Sequence, residues 1–270
     1  MKQETVSKVL VAGRPKLATA FPNTFCPGCH YGLVQRILCE VIEELGIQGR
    51  AILVGDIGCN SFLMRSIAID WMGCLHGRSL VGATGVKRAL PDNVVFHIGG
   101  DGALGAIGAG HLINAMMRSE KVTTIFMNNA GYGMTGGQLA PTTLLGLRTT
   151  TCPEGRKAEN IGFPLHVAEL AATFKGTAYS ARVSLHTPAH YQRAKRAVKT
   201  AFQKQMDGVG YSIVEIVSAC PTDWGLDPVE ATRFVGEKML AEFPLGEFKN
   251  VDRIEYTVDA EVEKVGRIRR

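Results

Sequence analysis

The segment between residues 94 and 138 constrains the fold of this chain more than any other. Two apolar runs, at residues 94–98 and 122–127, have the length and composition of buried strands. Between them, a glycine-rich turn leads into residues 106–117, whose apolar spacing predicts a helix. A strand, a helix and a second strand in this order are typical of a parallel sheet, because the helix carries the chain back to the start of the next strand.

Oxygen-bearing residues follow both predicted strands. Asp101 comes soon after the first strand and Asn129 after the second, and the turn beyond Asn129 offers the carbonyl of Gly131. The carboxyl ends of parallel strands meet at one edge of a sheet, where ligands bind. One carboxylate with neutral oxygens is a set that Mg²⁺ accepts together with phosphate oxygens. The turn containing Gly100 and Gly102, followed by a helix N-terminus, favours a diphosphate beside that metal.

Four cysteines lie at predicted turns and form a candidate metal site: Cys26, Cys29, Cys59 and Cys220. The Cys-x-x-Cys spacing of the first pair allows both thiolates to reach one metal centre, and the other two cysteines follow predicted strands. The spacing by itself leaves a structural zinc ion and a [4Fe–4S] cluster equally open, since both accept four thiolates. Two further cysteines are interpreted as packing residues and the last is left unassigned: Cys39, Cys74 and Cys152.

Composition and charge restrict the class of protein. With 46% hydrophobic and 20% charged residues, the 270-residue chain has enough apolar side chains for a large core. The net charge of +5 is not concentrated in a basic block interleaved with aromatic residues, which argues against a nucleic-acid partner. The N-terminus lacks the apolar segment of a signal peptide, and no segment reaches membrane-spanning length. We therefore expect a cytoplasmic protein with no membrane partner, in which cysteines serve metal binding or catalysis.

Strand and helix candidates alternate along the chain. Predicted strands begin near residues 51, 94, 122, 177 and 211, with helix candidates between them. This alternation predicts an α/β fold with a central parallel sheet and helices on both faces. We divide the chain into an N-terminal arm (1–24), one domain (25–245) and a C-terminal tail (246–270). The irregular segment 139–160 is expected to cover the site.

The motifs together resemble those of a known family. The GDG at 100–102 followed by Asn128 and Asn129 resembles the thiamine-diphosphate motif. With its continuation NNAGYGMTGGQLAPTT, the CPGC at 26–29 and the CPT at 220–222, the chain resembles the β subunit of 2-oxoacid:ferredoxin oxidoreductases. The resemblance implies a single thiamine-diphosphate-binding fold domain with thiamine diphosphate, Mg²⁺ and one [4Fe–4S] cluster as cofactors. It also favours the cluster over zinc, because the family's four cluster cysteines match the four cysteines here.

The resemblance assigns roles to individual residues. It implies that Asp101, Asn129 and the Gly131 carbonyl bind Mg²⁺, and that Met134 lies beneath the cofactor rings. The cofactor-binding set that it implies is the following: Gly100, Asp101, Gly102, Asn129, Gly131, Thr135, His76 and Gly77. His76 and Met134 are the catalytic candidates. A hydrogen bond at a helix end is the alternative role for His76, and core packing is the alternative for Met134.

The reaction that the resemblance implies is the coenzyme A-dependent oxidative decarboxylation of a 2-oxoacid to acyl-CoA and CO₂. Electrons would pass through the [4Fe–4S] cluster to ferredoxin. The chain contains no second domain that could supply the glutamate needed by the aminopyrimidine ring, so an α subunit is expected to supply it. A ferredoxin-like subunit is a further possible partner. Two alternatives stay open: a non-oxidative thiamine-diphosphate decarboxylase or synthase, and a zinc-stabilised assembly subunit.

The substrate is the least constrained part of the prediction. The overall resemblance favours 2-oxoglutarate, followed by a branched-chain 2-oxoacid such as 3-methyl-2-oxobutanoate. A cation in the pocket would suit the second carboxylate of 2-oxoglutarate, and Arg148 and Arg156 are candidates for it. Solvated loop arginines are the alternative interpretation of both residues.

Overall fold

A seven-stranded sheet forms the centre of the structure, a computed structural model that describes residues 13–258. The strands lie in the order β2-β1-β3-β4-β6-β5-β7, and all neighbours are parallel except β5 and β7. The strands are β1 (Ala51–Gly55), β2 (Asp70–Gly73), β3 (Val94–Gly100), β4 (Thr123–Asn128), β5 (Thr177–Ser184), β6 (Tyr211–Val217) and β7 (Gly246–Asn250).

Helices connect the strands and cover the sheet. Their bounds are α1 (Tyr31–Leu45), α2 (Leu63–Ser66), α3 (Ser79–Ala89), α4 (Ala109–Met117), α5 (Ala158–Ile161), α6 (Val167–Thr173), α7 (Pro188–Met206), α8 (Pro221–Trp224), α9 (Pro228–Phe234) and α10 (Leu240–Glu242). A short 3₁₀ helix spans Cys59–Phe62, and π-helical turns span Ala103–Ile107 and Val235–Met239. The helix ends carry local signals: Gly46 in the left-handed region ends α1, and Thr187 followed by Pro188 begins α7.

Both faces of the sheet are buried, because alternate strand residues pack against different helices. In β3, Phe96 packs in the cluster formed with α1 and α7, whereas Val95 packs in the cluster formed with α3, α4 and α6. Between α1 and α7, Lys195 lies 2.8 Å from Glu40 and 2.6 Å from Glu44. The predicted α/β fold with helices on both faces of a central parallel sheet is therefore confirmed.

Three elements differ from the sequence prediction. The helix after β3 begins at Asp101 rather than at residue 106, because the glycine-rich segment forms a π-helical turn instead of an extended loop. The strand β2 was not predicted, since three of its four residues are exposed and it carries no apolar run. The third is β7, which pairs antiparallel with β5, so the first five residues of the predicted 246–270 tail belong to the sheet.

The described part of the predicted N-terminal arm packs on the domain. Ala18 forms an isolated bridge with Ile67, and the Leu17 amide donates to Glu43 at 2.7 Å. Residues 1–12 of the predicted arm and 259–270 of the predicted tail lie outside the described residues. Within residues 13–258, none of the helices is both long enough and apolar enough to cross a bilayer.

Candidate functional site

A cavity of about 330 Å³ lies where the carboxyl ends of β1, β3 and β4 meet. The catalytic candidate Met134 lines it together with seven of the eight residues predicted to bind the cofactor: Gly100, Asp101, Gly102, Asn129, Gly131, Thr135 and His76. All of them except His76, which follows β2, come from the end of β3 and the turn after β4, as expected for a parallel sheet. Gly77 lies beside the cavity and not in its wall.

Asp101 is buried at the inner end of this cavity. One carboxylate oxygen accepts a hydrogen bond from the Gly102 amide at 2.8 Å, and the other accepts one from the Thr142 hydroxyl. Burial raises the pKa of Asp101 to about 7, although these hydrogen bonds and the backbone of Ala130 and Gly131 act to lower it. A bound cation would stabilise the ionised carboxylate at this position. The buried Asp101 therefore fits the magnesium ligand that the sequence predicts.

The turn after β4 holds Asn129 beside Asp101. Ala130 has a positive φ of 57°, an uncommon conformation for a residue with a Cβ atom. The Asn128 side chain accepts from the Ala130 amide at 3.3 Å and donates to Glu215 at 2.7 Å. Glu215 in turn accepts from the buried Arg182 at 2.8 Å. This paired network fixes the turn from the core, so that Asn129 faces the cavity.

A buried carboxylate, Asp56, holds the loop that carries His76 and Gly77. It accepts hydrogen bonds from the Gly77 amide at 2.9 Å and from the Ser79 hydroxyl at 2.7 Å. Gly77 has a positive φ of 69°, and a Cβ atom there would lie 2.4 Å from Ile107. His76 Nδ1 lies 2.9 Å from the Ile57 carbonyl, which leaves Nε2 for the cavity. The conformation of the predicted His76–Gly77 pair is therefore set by Asp56 and the backbone beside it.

The hydrogen bonds behind Asp56 run in one direction across the sheet. The Ser79 hydroxyl donates to Asp56, so His97 Nδ1, 3.2 Å from that hydroxyl, must be a donor. His97 Nε2 then accepts from Thr124 at 2.6 Å, and Thr124 accepts from Tyr211. Complete burial lowers the pKa of His97 to about 3, which agrees with a neutral ring. This series of hydrogen bonds ends with a donor to Asp56 and stabilises the negative charge of its carboxylate.

The outer wall of the cavity is formed by the turn after Ala130. The Tyr132 hydroxyl donates to the Gly102 carbonyl at 3.0 Å, and the Tyr132 ring occupies the space that a side chain at Gly102 would need. Met134 is 43% exposed at the mouth, and Thr135 donates to Gln138 at 2.5 Å. Met134 is therefore not a core residue, and its sulfur and methyl groups are available to a ligand.

The four predicted cluster cysteines come together beside this cavity. Cys59 lines the cavity, whereas Cys26 and Cys29 line an adjoining groove. Burial raises the pKa of Cys29 and of Cys59 to about 11, and the charges of neighbouring cysteines add to both shifts. Burial also raises the pKa of Cys220, with contributions from Asp223 and Cys29. The thiols are close enough for their charges to interact, but within residues 13–258 no three of them are arranged as ligands of a single metal ion, so the metal centre stays a prediction.

Contacts between the loops hold the cysteines in place. His30, which follows Cys29, accepts a hydrogen bond at Nδ1 from the Ala219 amide at 3.1 Å. Ala219 precedes Cys220, whose thiol donates to Asp223 at 3.2 Å. Within residues 13–258, no three His, Cys, Asp or Glu side chains form a group suited to a single metal ion. The other three cysteines lie apart: Cys39 is buried in α1, Cys74 follows β2, and Cys152 lies in the loop before α5.

The two arginines considered for substrate binding do not face the cavity. Arg156 is buried, and its guanidinium donates to the carbonyls of five loop residues: Ala140, Pro141, Thr143, Gly162 and Phe163. Its donors are used within the chain, so the structure does not support Arg156 as the candidate substrate cation. Arg148 is exposed and lies outside the cavity lining. In the 139–160 segment, the Thr142 hydroxyl donates a hydrogen bond to Asp101. No residue of this segment lines the cavity, so it does not cover the site as expected.

Comparisons with known proteins agree with this geometry. Residues 56–216 match the family described as thiamine pyrophosphate enzyme, C-terminal TPP binding domain. The chain is 34% identical over 255 residues to 2-oxoglutarate synthase subunit KorB of Methanocaldococcus jannaschii, covering 87% of this chain and 90% of that relative. This chain belongs to the 2-oxoacid:ferredoxin oxidoreductase family. Within it, the chain is of the β-subunit type that carries the thiamine-diphosphate-binding domain.

Two further matches define the position of the chain in the family. Ketoisovalerate oxidoreductase subunit VorA of Methanothermobacter thermautotrophicus is 42% identical over 226 residues, which are 84% of this chain and 47% of that relative. The chain thus spans about half the length of VorA. The solved structure of 2-oxoglutarate:ferredoxin oxidoreductase from Magnetococcus marinus with 2-oxoglutarate, coenzyme A and succinyl-CoA bound superposes with a TM-score of 0.71 at 26% identity, covering 94% and 89% of the two chains. The family resemblance of the motifs is therefore confirmed.

Several residues at the site were not predicted from the sequence. Asp56, Thr142 and Asp223 support the predicted ligands, and Tyr31 and Tyr132 form walls of the cavity. Asp56 had a local signal, since it follows a predicted strand in the same way as Asp101 does. Tyr132 had one as well, because it lies between Gly131 and Met134 in the predicted motif. Tyr31 had none, because only the packing of distant loops brings its ring to the cavity.

Proposed function

We propose that this chain is the thiamine-diphosphate-binding subunit of a coenzyme A-acylating 2-oxoacid:ferredoxin oxidoreductase. The observation that carries the proposal is the position of Cys59, which belongs both to the cavity containing Asp101 and to the group of four cysteines. A cofactor in the cavity and a cluster on the cysteines would be neighbours, as electron transfer between them requires. The family membership supports the same reaction.

The chain's own residues would prepare the site in three ways. Asp101 and Asn129, with the Gly131 carbonyl, would hold Mg²⁺ and through it the diphosphate. The Asp56 network would keep His76 directed at the cavity, and Met134 would contact the cofactor rings from the mouth. Thiamine diphosphate would supply the electron sink that decarboxylation needs, and a [4Fe–4S] cluster on the four cysteines would accept single electrons.

For the substrate, we favour a branched-chain 2-oxoacid over 2-oxoglutarate. The cavity wall includes the apolar side chain of Ile57, which suits an alkyl group. Arg156, the buried cation once considered for the second carboxylate of 2-oxoglutarate, has its donors occupied by carbonyls. The 42% identity to a ketoisovalerate oxidoreductase subunit supports the same choice, whereas the relatives named for 2-oxoglutarate are less similar. The second candidate, 2-oxoglutarate, keeps the support of the solved structure.

An α-type subunit is proposed as the partner that completes the site. Four large apolar residues around the cavity are exposed to solvent, although apolar residues are usually buried: Ile57 at 48%, Leu75 at 78%, Ile107 at 51% and Met134 at 43%. Such a rim is typical of a protein interface. The partner would bring the glutamate for the aminopyrimidine ring, coenzyme A would enter with the 2-oxoacid, and a ferredoxin would remove the electrons.

The proposal is tested by anaerobic co-production of the chain with its α-type partner. We expect roughly four iron and four acid-labile sulfide per chain, a brown chromophore, and a reduced-cluster EPR signal when 3-methyl-2-oxobutanoate and coenzyme A are added. With 2-oxoglutarate in its place, the signal should form more slowly. Acyl-CoA should accumulate only when both substrates are present.

Other outcomes would identify the alternatives. Zinc without iron would contradict the cluster and support an assembly role for the cysteines. Decarboxylation without a reduced cluster would support a non-oxidative thiamine-diphosphate enzyme. Faster cluster reduction by 2-oxoglutarate than by 3-methyl-2-oxobutanoate would reverse the substrate assignment.

A further inference from the structure

Tyr31 lies between the cavity and the cysteines. It is the first residue of α1, two positions after Cys29, and its side chain lines the cavity. The ring is 6% exposed and stacks on Phe25 with ring centroids 5.6 Å apart and planes at 16°. Its hydroxyl oxygen comes within 3.9 Å of the point that a Cβ atom on Gly100 would occupy. The ring is thus fixed with its hydroxyl at the end of β3, next to Asp101.

The hydroxyl of Tyr31 lacks a protein partner within residues 13–258. The other tyrosine hydroxyl at the cavity is paired, since Tyr132 donates to the Gly102 carbonyl at 3.0 Å. Among residues 13–258, this hydroxyl of Tyr31 is not one of the fully enclosed polar atoms left without a partner, so it opens onto the cavity that the side chain lines. A ligand in that cavity can therefore be its partner.

We propose that the Tyr31 hydroxyl donates a hydrogen bond to an anionic oxygen of the ligand in this cavity. This inference rests on the proposed function, which supplies two sources of such an oxygen: the diphosphate of the cofactor and the carboxylate of the 2-oxoacid. Neither the family motifs nor the predicted ligand set includes this residue.

Tyr31 can only donate to such an oxygen. A tyrosine phenol, with an ordinary pKa of about 10, is protonated and neutral at physiological pH, and an anionic oxygen has no proton to give. An anionic oxygen brought to this end of the cavity by a cation on Asp101 would find the O–H group within a protein wall and out of bulk water, where such a bond is strong.

The test compares the Tyr31→Phe variant with the wild type, both as the anaerobic complex with the α-type partner. Phenylalanine keeps the ring that stacks on Phe25 and removes only the hydroxyl group. Calorimetry with Mg²⁺ and thiamine diphosphate measures cofactor binding, and the Michaelis constant for 3-methyl-2-oxobutanoate at saturating cofactor measures substrate binding. We expect one of these constants to weaken by roughly 10- to 100-fold, the loss for a hydrogen bond to a charged group. The iron content should stay unchanged.

The control variant is Tyr191→Phe. Its hydroxyl donates to Glu40 at 3.1 Å between α7 and α1, outside the cavity, so both constants should stay at their wild-type values. Weaker cofactor binding in Tyr31→Phe would identify the diphosphate as the acceptor, and a raised Michaelis constant alone would identify the carboxylate. Unchanged constants, or a change in iron content or EPR signal only, would overturn the inference. A wild-type complex that does not bind the cofactor would instead contradict the proposed function.

Discussion

At the scale of single residues, the site depends on buried polar groups whose hydrogen bonds leave little choice of protonation state. Asp56 accepts from Gly77 and Ser79, so the proton on His97 must lie on Nδ1. His97 is neutral because burial lowers its pKa to about 3. The same reasoning applies to His30, whose pKa burial lowers to about 4 and whose Nδ1 accepts from Ala219. Such neutral histidines fix their neighbours but make the fold sensitive to acid.

We predict that His97 weakens the fold as the pH falls below about 6.5, the ordinary pKa of histidine. In the unfolded chain His97 takes up a proton there, whereas in the folded chain it remains neutral down to about pH 3. The stability it contributes is therefore present above pH 6.5 and is lost as the pH decreases. Between pH 7 and pH 5, the loss in the free energy of unfolding should be about 2 kcal/mol. Urea unfolding at both pH values measures it.

The matched comparison uses His97→Gln and His111→Gln. The first variant should lose about 2 kcal/mol less than the wild type between the two pH values, since glutamine does not titrate. The second replaces a half-exposed histidine of α4 and should follow the wild type. An equal loss in all three proteins would contradict the assignment of a neutral, buried His97.

At the scale of elements, the cysteine loop and the start of α9 form one packed unit. Gly28 has a positive φ of 78°, and a Cβ atom there would lie 2.6 Å from the Cβ of Pro228 and 2.8 Å from its Cα. Pro228 cannot retreat easily, because Asp227 and Glu230 form a capping box that fixes the first turn of α9. The turn between Cys26 and Cys29 is thus shaped by a helix some 200 residues away in sequence.

We predict that Gly28→Ala disturbs the cysteine arrangement. The added methyl group meets both a strained backbone conformation and the start of α9, which should cost about 1–3 kcal/mol of unfolding free energy. The iron content after anaerobic purification should fall clearly below that of the wild type. Gly32→Ala is the control, since a Cβ atom there meets only Asn23 at 3.7 Å and alanine favours the helix. Equal iron content in Gly28→Ala and the wild type would show that the contact with Pro228 does not shape the cluster loop.

At the scale of the whole molecule, the carboxyl edge of the sheet differs from the opposite edge. The carboxyl edge combines the cavity, the cysteines and the exposed apolar side chains around the mouth, with Leu75 the most exposed of these at 78%. The opposite edge carries short turns between helices and strand starts, such as the one from Leu90 to Asn93. This asymmetry supports the proposed α-type partner, which would cover the carboxyl edge.

We predict that Leu75→Lys weakens assembly with the α-type partner, because it places a charge within an apolar interface. Affinity measured between the separately purified subunits should fall roughly tenfold or more. Leu90→Lys, at the opposite edge and 47% exposed, should bind the partner like the wild type. Equal affinities for the two variants would place the interface elsewhere on the chain.

The sequence alone was sufficient for much of the architecture. Five of the seven strands follow from periodicity, because apolar runs are local properties of the sequence. The candidate ligands also followed from the sequence, since Asp101 and Asn129 each come just after a strand. In a parallel sheet those positions must meet at one edge, whatever the details of packing.

Only the tertiary structure decided which other side chains take part. In the sequence, Arg156 was indistinguishable from a loop arginine that faces a ligand. In the structure, its guanidinium donates hydrogen bonds to five carbonyls of the folded loop. In the sequence, Tyr31 was only the start of a helix. In the structure, its ring lines the cavity because loops that are distant in sequence come together there. The strand β7 formed because β5 offered an open edge. The sequence by itself determined most of the strands and the strand ends that carry the candidate ligands. The hydrogen-bond partner of each buried polar group was decided by contacts between remote segments, which no local pattern encodes.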